Sequence, residues 1–167
     1  FREGVRIELL CGDRARRYLS ACWEQSLRIG QALSVKPTAG FAAVERLLAE
    51  LGALKLRAAQ LEETVFAQTA ARYAGAGDVL LFEGEMPGDS LRKLCDAVAG
   101  VCGGRCAVFA GAEGAYKYAI GHAGGDLRAL TKELNAALSG RGGGKPHFVQ
   151  GSVSCRRADI ETFFTRN

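Results

Sequence analysis

Apolar and charged residues alternate at the start of the chain, and Val5-Arg6-Ile7-Glu8-Leu9-Leu10 predicts a short strand closed by Cys11-Gly12. Asp13 is the predicted N-cap of a helix over 14–33, whose apolar stripe is Ala15, Leu19, Cys22, Ser26, Ile29 and Leu33. Arg14, Arg16 and Arg17 fall in its first turn, where the helix dipole disfavours cations, so they read as a solvated face or as phosphate contacts. Pro37, between Ser34 and Gly40, breaks the pattern. A long helix follows from about Thr38 to Ala74. Val44, Leu47, Leu51, Leu54, Ala58, Leu61 and Val65 recur at spacings of three and four, the a/d pattern of a coiled coil. Such a helix is marginal alone in water. It is expected to pack on the first helix, with Trp23 between them, on a second subunit, or on both. Leu47, Leu51, Leu54 and Leu61 are the candidate oligomerisation residues of a homodimer. Gly52 weakens the middle by about 1 kcal/mol relative to alanine.

Gly75-Ala76-Gly77 marks a boundary, after which short elements interleave. Val79–Phe82 predicts a strand. Asp89 begins a helix that buries Leu91, Leu94, Cys95, Val98 and Cys102. Cys106–Ala110 and Ala115–Ile120 predict two strands joined by a glycine-containing hairpin. Asp126 begins a helix with Leu127, Leu130, Leu134 and Leu138 on one face. A glycine loop, a strand near Phe148–Val153 and a last helix over 156–164 complete the chain. The fold class is therefore α/β in the broad sense (α+β): a helical, coiled-coil region over 14–75, then a small domain over 78–167 in which helices pack on one sheet.

Composition is that of a globular chain, with 48% hydrophobic and 24% charged residues. No apolar stretch approaches the ~20 residues that cross a bilayer, and no secretory signal pattern is visible, so no membrane partner is expected. The six cysteines form no CxxC and have two histidines for company, His122 and His147. Cys102 and Cys106 read as buried thiols of a cytoplasmic protein, with no metal or other cofactor held in this chain. The net charge of +4 is uneven. Residues 1–37 carry seven cations against four anions, residues 78–138 six against eight, and residues 139–167 five against two.

The C-terminal excess coincides with the most unusual segment, Ser139-Gly140-Arg141-Gly142-Gly143-Gly144-Lys145-Pro146-His147-Phe148-Val149-Gln150-Gly151-Ser152. Three successive glycines have a high entropic cost, and suit a backbone at positive φ or one that a ligand approaches closely. Their N–H groups in a loop form an anion-binding concavity, which Arg141 and Lys145 reinforce. A flexible turn explains the same glycines equally well. Gln150 and Ser152 add neutral donors, and Phe148 either stacks on a base or fills the core. Tyr116, Lys117 and Tyr118 alternate, which places both tyrosines in the core and the lysine in solvent.

This run resembles the GGGRPxxAQGG signature of the DHH-associated domain, found at the C-terminus of alanyl-tRNA synthetases and of AlaX-type editing proteins. Gly142, Gly143, Gly144, Pro146, Gln150 and Gly151 fall on it; Lys145 and Val149 replace the usual arginine and alanine. The block from Gly4 to Ala15 resembles the family's GxRRIExxxGxxA, the last strand and following helix of its editing domain. The resemblance implies that residues 1–13 are a remnant of that domain and that 14–75 are its helical linker. It implies that Arg141, Gly142, Gly143, Gly144, Lys145, Pro146, Gln150, Gly151 and Ser152 contact tRNA(Ala). The family's zinc centre, an HxxxH and a CxxxH, lies upstream of the GVRIE block, and neither motif occurs here. A chain that starts at Phe1 is thus expected to be a fragment without catalytic residues, its parent a hydrolase of mischarged Ser- or Gly-tRNA(Ala) with zinc in the missing domain. Free-standing editing protein and full synthetase both remain open.

Two other readings stand beside it. A DHH-type phosphoesterase uses a related domain to hold short oligonucleotides or cyclic dinucleotides, but usually has histidine after its glycines, where this chain has Lys145-Pro146. A purely structural dimerisation domain needs only the heptad seam, and the charge balance of residues 38–77, four cations and four anions, is compatible with it.

Overall fold

Gly12–Ala32 folds as helix α1 in the computed structural model, which describes residues 4, 5 and 7–166. The helix starts two residues earlier than expected: Cys11, not Asp13, occupies the N-cap, without a side-chain bond. Asp13 lies inside the first turn, where its carboxylate pairs with Arg16 at 2.7 Å and Arg17 at 2.6 Å. That carboxylate offsets the dipole penalty of two of the arginines. The strand expected over 5–10 does not form in the described residues, Arg6 lying outside them. Val5 and Ile7–Leu10 are irregular and exposed, because a strand is held by a ladder partner and no described strand pairs with them.

The described residues fall into two units, one up to Ala58 and one from Ala59 on. In the first, α1 ends at a corner. Val35 donates its N–H to the Gly30 carbonyl at 2.8 Å, and a 3-10 turn over Pro37–Ala39 leads into helix α2, Gly40–Arg72. Gly30 is required here, since a Cβ would sit 2.8 Å from the Val35 oxygen. Among the described residues of this unit only Gly30, Gly40 and Ala43 are buried. Trp23 does not pack α1 on α2 as expected; it is 56% exposed. The corner packs Gly30 against Val35 and Pro37 and Gly40 against Ile29, and most other described side chains of this unit are exposed.

The second unit begins with the last turns of α2 and holds a five-stranded sheet, so the α+β class is as expected. Its elements are β1 (Gly77–Glu83), α3 (Gly88–Cys102), β2 (Gly103–Ala112), β3 (Ala115–His122), α4 (Arg128–Ala137), β4 (Arg141–Lys145), β5 (Phe148–Val153) and α5 (Arg157–Arg166). The strand order is β1-β2-β3-β5-β4. β1 and β2 are parallel, connected by α3, and the other pairs are antiparallel. Strand alternation gives the sheet two apolar faces. On one, Val79, Leu81, Cys106, Val108 and Ala119 meet α3 and the Phe66, Ala70 and Tyr73 side of the chain before β1. On the other, Phe109, Tyr116, Tyr118, Ile120, Val149 and Val153 meet Leu127 and Leu134 of the α4 region and Ile160 of α5.

The helical spacing was informative here. Leu91, Leu94, Cys95, Val98 and Cys102 are all at most 3% exposed. A hydrogen bond with Cys106 and burial together push the Cys95 thiol well up. Asp126 acts one residue before the N-cap, Leu127. It accepts the Arg128 N–H at 3.0 Å, and the Arg128 guanidinium holds its carboxyl at about 2.

Candidate nucleic-acid interface

The glycine segment is a strand, not the expected loop. Pro146-His147 form a two-residue turn, so Lys145 pairs with Phe148, and the register runs back through Gly144↔Val149, Gly143↔Gln150 and Gly142↔Gly151 to Arg141↔Ser152. The tip is anchored from both sides: Leu127 donates its N–H to the Pro146 carbonyl at 2.7 Å, and His122 donates to His147 at 3.0 Å. None of Gly142, Gly143 and Gly144 takes a positive φ. An anion-binding concavity needs alternating backbone hands, so the expected cradle of N–H groups does not form. The antiparallel ladder with β5 supplies an extended partner, and an extended glycine run accepts it.

What the glycines provide is close approach. A Cβ on Gly142 would collide with the Tyr118 hydroxyl and lie 2.5 Å from the Gln150 oxygen; one on Gly144 would collide with the Phe148 oxygen. Gly151 faces the same crowding from the Arg141 oxygen and lies 2.6 Å from the Gly142 Cα at its own Cβ position. Asn135 of α4 ties the arrangement together, donating to the Gly142 carbonyl at 3.1 Å and accepting the Tyr118 hydroxyl at 3.1 Å. Burial raises the Tyr118 phenol above its ordinary range. A Cβ on Gly143, by contrast, would meet open space.

Alternation then sorts the candidate residues onto two faces. Gly142, Gly144 and Gly151 lie on the crowded face with Tyr118. Arg141, Gly143 and Lys145 lie on the other, in register with Ser152, Gln150 and Phe148 of β5 and, one strand further, with Lys117, Ala119 and Gly121 of β3. Helix α3 covers this second face over β1, β2 and part of β3. Over β5 and β4 it is uncovered: Lys117, Gln150, Ser152, Arg141, Gly143 and Lys145 are all exposed. Phe148 is half-buried against the α3 core, and so fills space rather than presenting a ring. Strand geometry puts Arg141 and Lys145 roughly 13 Å apart, with Lys117 roughly 10 Å from Arg141 across the sheet.

A cleft of about 340 Å³ runs where this open face meets α3, and Arg92 and Asp96 line it together with Gly143, Lys145 and Gln150. Arg92 and Lys117 thus join Arg141 and Lys145, and sequence reasoning assigned neither to the site. The alternation of Tyr116, Lys117 and Tyr118 does signal that Lys117 leaves the core. Its registry with Arg141 is set by two strand pairings, and no local pattern carries that. Among the described residues none of these four cations enters an ion pair. Other cations of the same unit do: Arg105 with Asp78 at 2.6 Å, Arg128 with Asp126 at 2.6 Å, Arg156 with Asp159 at 3.1 Å and Arg157 with Glu161 at 2.8 Å. Asp96 is the one acidic lining residue of the cleft.

Such a face can hold a polyanion through its charge. Among the described residues no group of three or more histidine, cysteine or acidic side chains is placed to hold a metal ion, and no helix is long and apolar enough to cross a membrane. Cys95, Cys102 and Cys106 are buried free thiols, and Cys11 and Cys22 are exposed. Leu47, Leu51, Leu54 and Leu61 lie on α2, each 45–63% exposed.

No family model matches the chain, and no curated protein matches it. Among solved structures it is similar to the C-Ala domain of Aquifex aeolicus alanyl-tRNA synthetase, with 16% identity and a TM-score of 0.47 over 53% of this chain and 85% of that one.

Proposed function

We propose that this chain binds tRNA(Ala) as the C-terminal part of an alanyl-tRNA editing protein, through the uncovered face of β3, β5 and β4. One observation carries the binding: Arg92, Lys117, Arg141 and Lys145 are exposed on or beside a glycine-floored sheet surface without anionic partners, while Arg105, Arg128, Arg156 and Arg157 of the same unit are each paired with a carboxylate. Unpaired, clustered cations are the electrostatic footprint of a polyanion site. The identity of the RNA rests on the resemblance of Gly142–Gly144, Pro146, Gln150 and Gly151 to the DHH-associated signature.

The chemistry of the face favours phosphates over bases. Tyr116 and Tyr118 are buried on the opposite side and Phe148 is packed inward, which leaves the exposed His147 imidazole beside the cleft as the one ring at this face. Lysine and arginine contacts to phosphate position an RNA without reading its sequence. Gln150 and Ser152 supply neutral hydrogen-bond donors between the charged positions. In the parent protein this surface would hold the tRNA body while the editing domain upstream, with its zinc, hydrolyses the ester of Ser- or Gly-tRNA(Ala) in the cytoplasm.

Binding to tRNA(Ala) over a salt series tests this. The wild-type chain should bind with affinity that falls steeply with salt, and Arg141→Glu/Lys145→Glu should lose most of it. Each phosphate contact removed should flatten the log–log salt slope by roughly 0.7–0.9. Lys117→Glu, two strands from β4, should weaken binding as well. If the double variant binds as the wild type does, the sheet face is not the RNA contact.

A further inference from the structure

Asp96 is an acid among cations. It lines the cleft of about 340 Å³ together with Arg92, Lys145 and Gln150, and it is exposed. The helix dipole does not account for it, because it lies in the interior of α3, while Asp89 already supplies the acid of the first turn. Pairing does not account for it either. Arg92 precedes it by four positions and Lys93 by three, yet among the described residues Asp96 enters no ion pair or side-chain hydrogen bond. Arg157 and Glu161, at the same spacing as Arg92 and Asp96, pair at 2.8 Å. On its other side Asp96 borders a second cleft, of about 520 Å³, where Lys93 and Glu63 stand, and that lysine is not used as a partner. The Asp96 carboxylate is therefore an open acceptor in a cationic cleft.

Such a group works against phosphate alone. An ionised carboxylate only accepts hydrogen bonds, a phosphodiester brings no donor, and their charges repel. The cost is offset when the bound molecule carries a donor close to its phosphates. RNA carries one on the backbone of every nucleotide, the ribose 2′-hydroxyl, and that group is what distinguishes it from DNA. Carboxylates elsewhere hold a ribose hydroxyl beside a phosphate site in the same way. Base amino groups are the other donors of RNA, but Phe148 is packed inward, and paired bases have those groups engaged. On the β4 side the cleft is bounded by Gly143 and Gly144, and a Cβ on Gly143 would meet open space, so a sugar has room to approach.

We propose that Asp96 accepts the 2′-hydroxyl of a ribose whose neighbouring phosphates are held by Arg92 and Lys145. The cleft then selects RNA by its sugar, without reading bases. This rests on the RNA reading of the sheet face and adds to it the group that the acidic residue recognises.

The test compares tRNA(Ala) with the same molecule synthesised with 2′-fluorine in place of every ribose hydroxyl. Fluorine keeps the sugar pucker, the bases and the phosphates, and removes the donor. At one salt concentration the whole wild-type chain should bind the hydroxyl form about tenfold more tightly, the scale of one hydrogen bond to a charged group. Asp96→Ala should bring the two affinities within about twofold of each other, with binding of the fluorinated form strengthened because a repulsive charge is gone. Asp96→Asn, which keeps a carbonyl acceptor, should retain part of the preference. Because Asp96 is exposed, both variants should keep the wild-type circular dichroism. An Asp96→Ala chain that retains the full wild-type preference overturns the proposal, as does a wild type that binds both forms equally. If in either case Arg141→Glu/Lys145→Glu still abolishes binding, the sheet face stands as the RNA contact and only the ribose contact falls. A wild type that binds neither form overturns both.

Discussion

Glycines that look alike in the run from Gly142 to Gly144 differ in what surrounds them. Gly142 sits where β4 passes close to β5, and a Cβ there would strike the Tyr118 hydroxyl and the Gly151 Cα at 2.7 Å. Relief would require β4 to move away from β5 and break the Asn135 bond to the Gly142 carbonyl. Gly143 points to open space on the uncovered face. Gly142→Ala should therefore cost about 2 kcal/mol or more, the scale of overpacking against backbone, while Gly143→Ala should stay within about 0.5 kcal/mol, as surface changes do. Urea denaturation of the two variants measures the difference. Gly143→Ala keeps all four cations, so it also separates loss of fold from loss of RNA binding. The three glycines were conspicuous in the sequence, but which of them is required was not, since that depends on the strand crossing beside each.

At the scale of elements, β1 and β2 are parallel and depend on α3 to bring them side by side. One polar clamp holds the start of that pairing. The Asp78 carboxylate accepts the Arg105 backbone N–H at 2.6 Å and its guanidinium at 2.6 and 2.8 Å. The Arg105 side-chain bonds, ahead of its backbone bond and the opposing effect of burial, hold the Asp78 carboxyl below its ordinary value. A carboxyl depressed in the folded state contributes stability that is fully present above its unfolded value of about 4 and is lost as pH falls through the folded value. Asp78→Asn should thus be less stable than wild type at neutral pH, by about 1 kcal/mol given that the aspartate is half exposed. The gap should close as the pH drops below about 4. Chemical denaturation of both chains from pH 7 to pH 2.5 measures this. Apart from β4, the helices and strands of the sheet unit were legible from periodicity: the buried face of α3 and the span of β5 follow from spacing alone. β4 was not, because glycine carries no apolar alternation by which a strand is recognised.

The whole molecule joins units of unequal construction. The sheet unit buries Phe109, Tyr118, Ile120, Leu134 and Ile160 at 1% exposure or less, whereas among the described residues of the unit up to Ala58 only Gly30, Gly40 and Ala43 are buried. Local stability follows buried apolar contact and protected backbone bonds. Amide hydrogen exchange at concentrations too low for self-association should therefore protect β2 and β3 most, near the global unfolding limit, and α1 least. Protection of α2 should rise with protein concentration if it pairs with a second copy, whereas protection of β2 and β3 should not. Equal protection across α1 and β2 would mean that the helical unit has a core of its own.

Period and punctuation determined much of this protein in advance. The 3.6-residue stripes of α1, α2 and α3, the two-residue alternation of β3 and β5, and the break at Gly75-Ala76-Gly77 are local patterns, and local backbone geometry reads them directly. The charge excess after residue 138 and the glycine signature are local too, and they are what directs the proposal of an anion surface to this segment. Tertiary structure decided how that segment is used. Pairing with β5 turned a predicted loop into an edge strand, and strand order placed Lys117 in line with Arg141. The limited reach of α3 left that half of the sheet face open beside Arg92. These are non-local facts, set by which strands meet and in which register. A chain read one window at a time holds no record of the partner across the sheet.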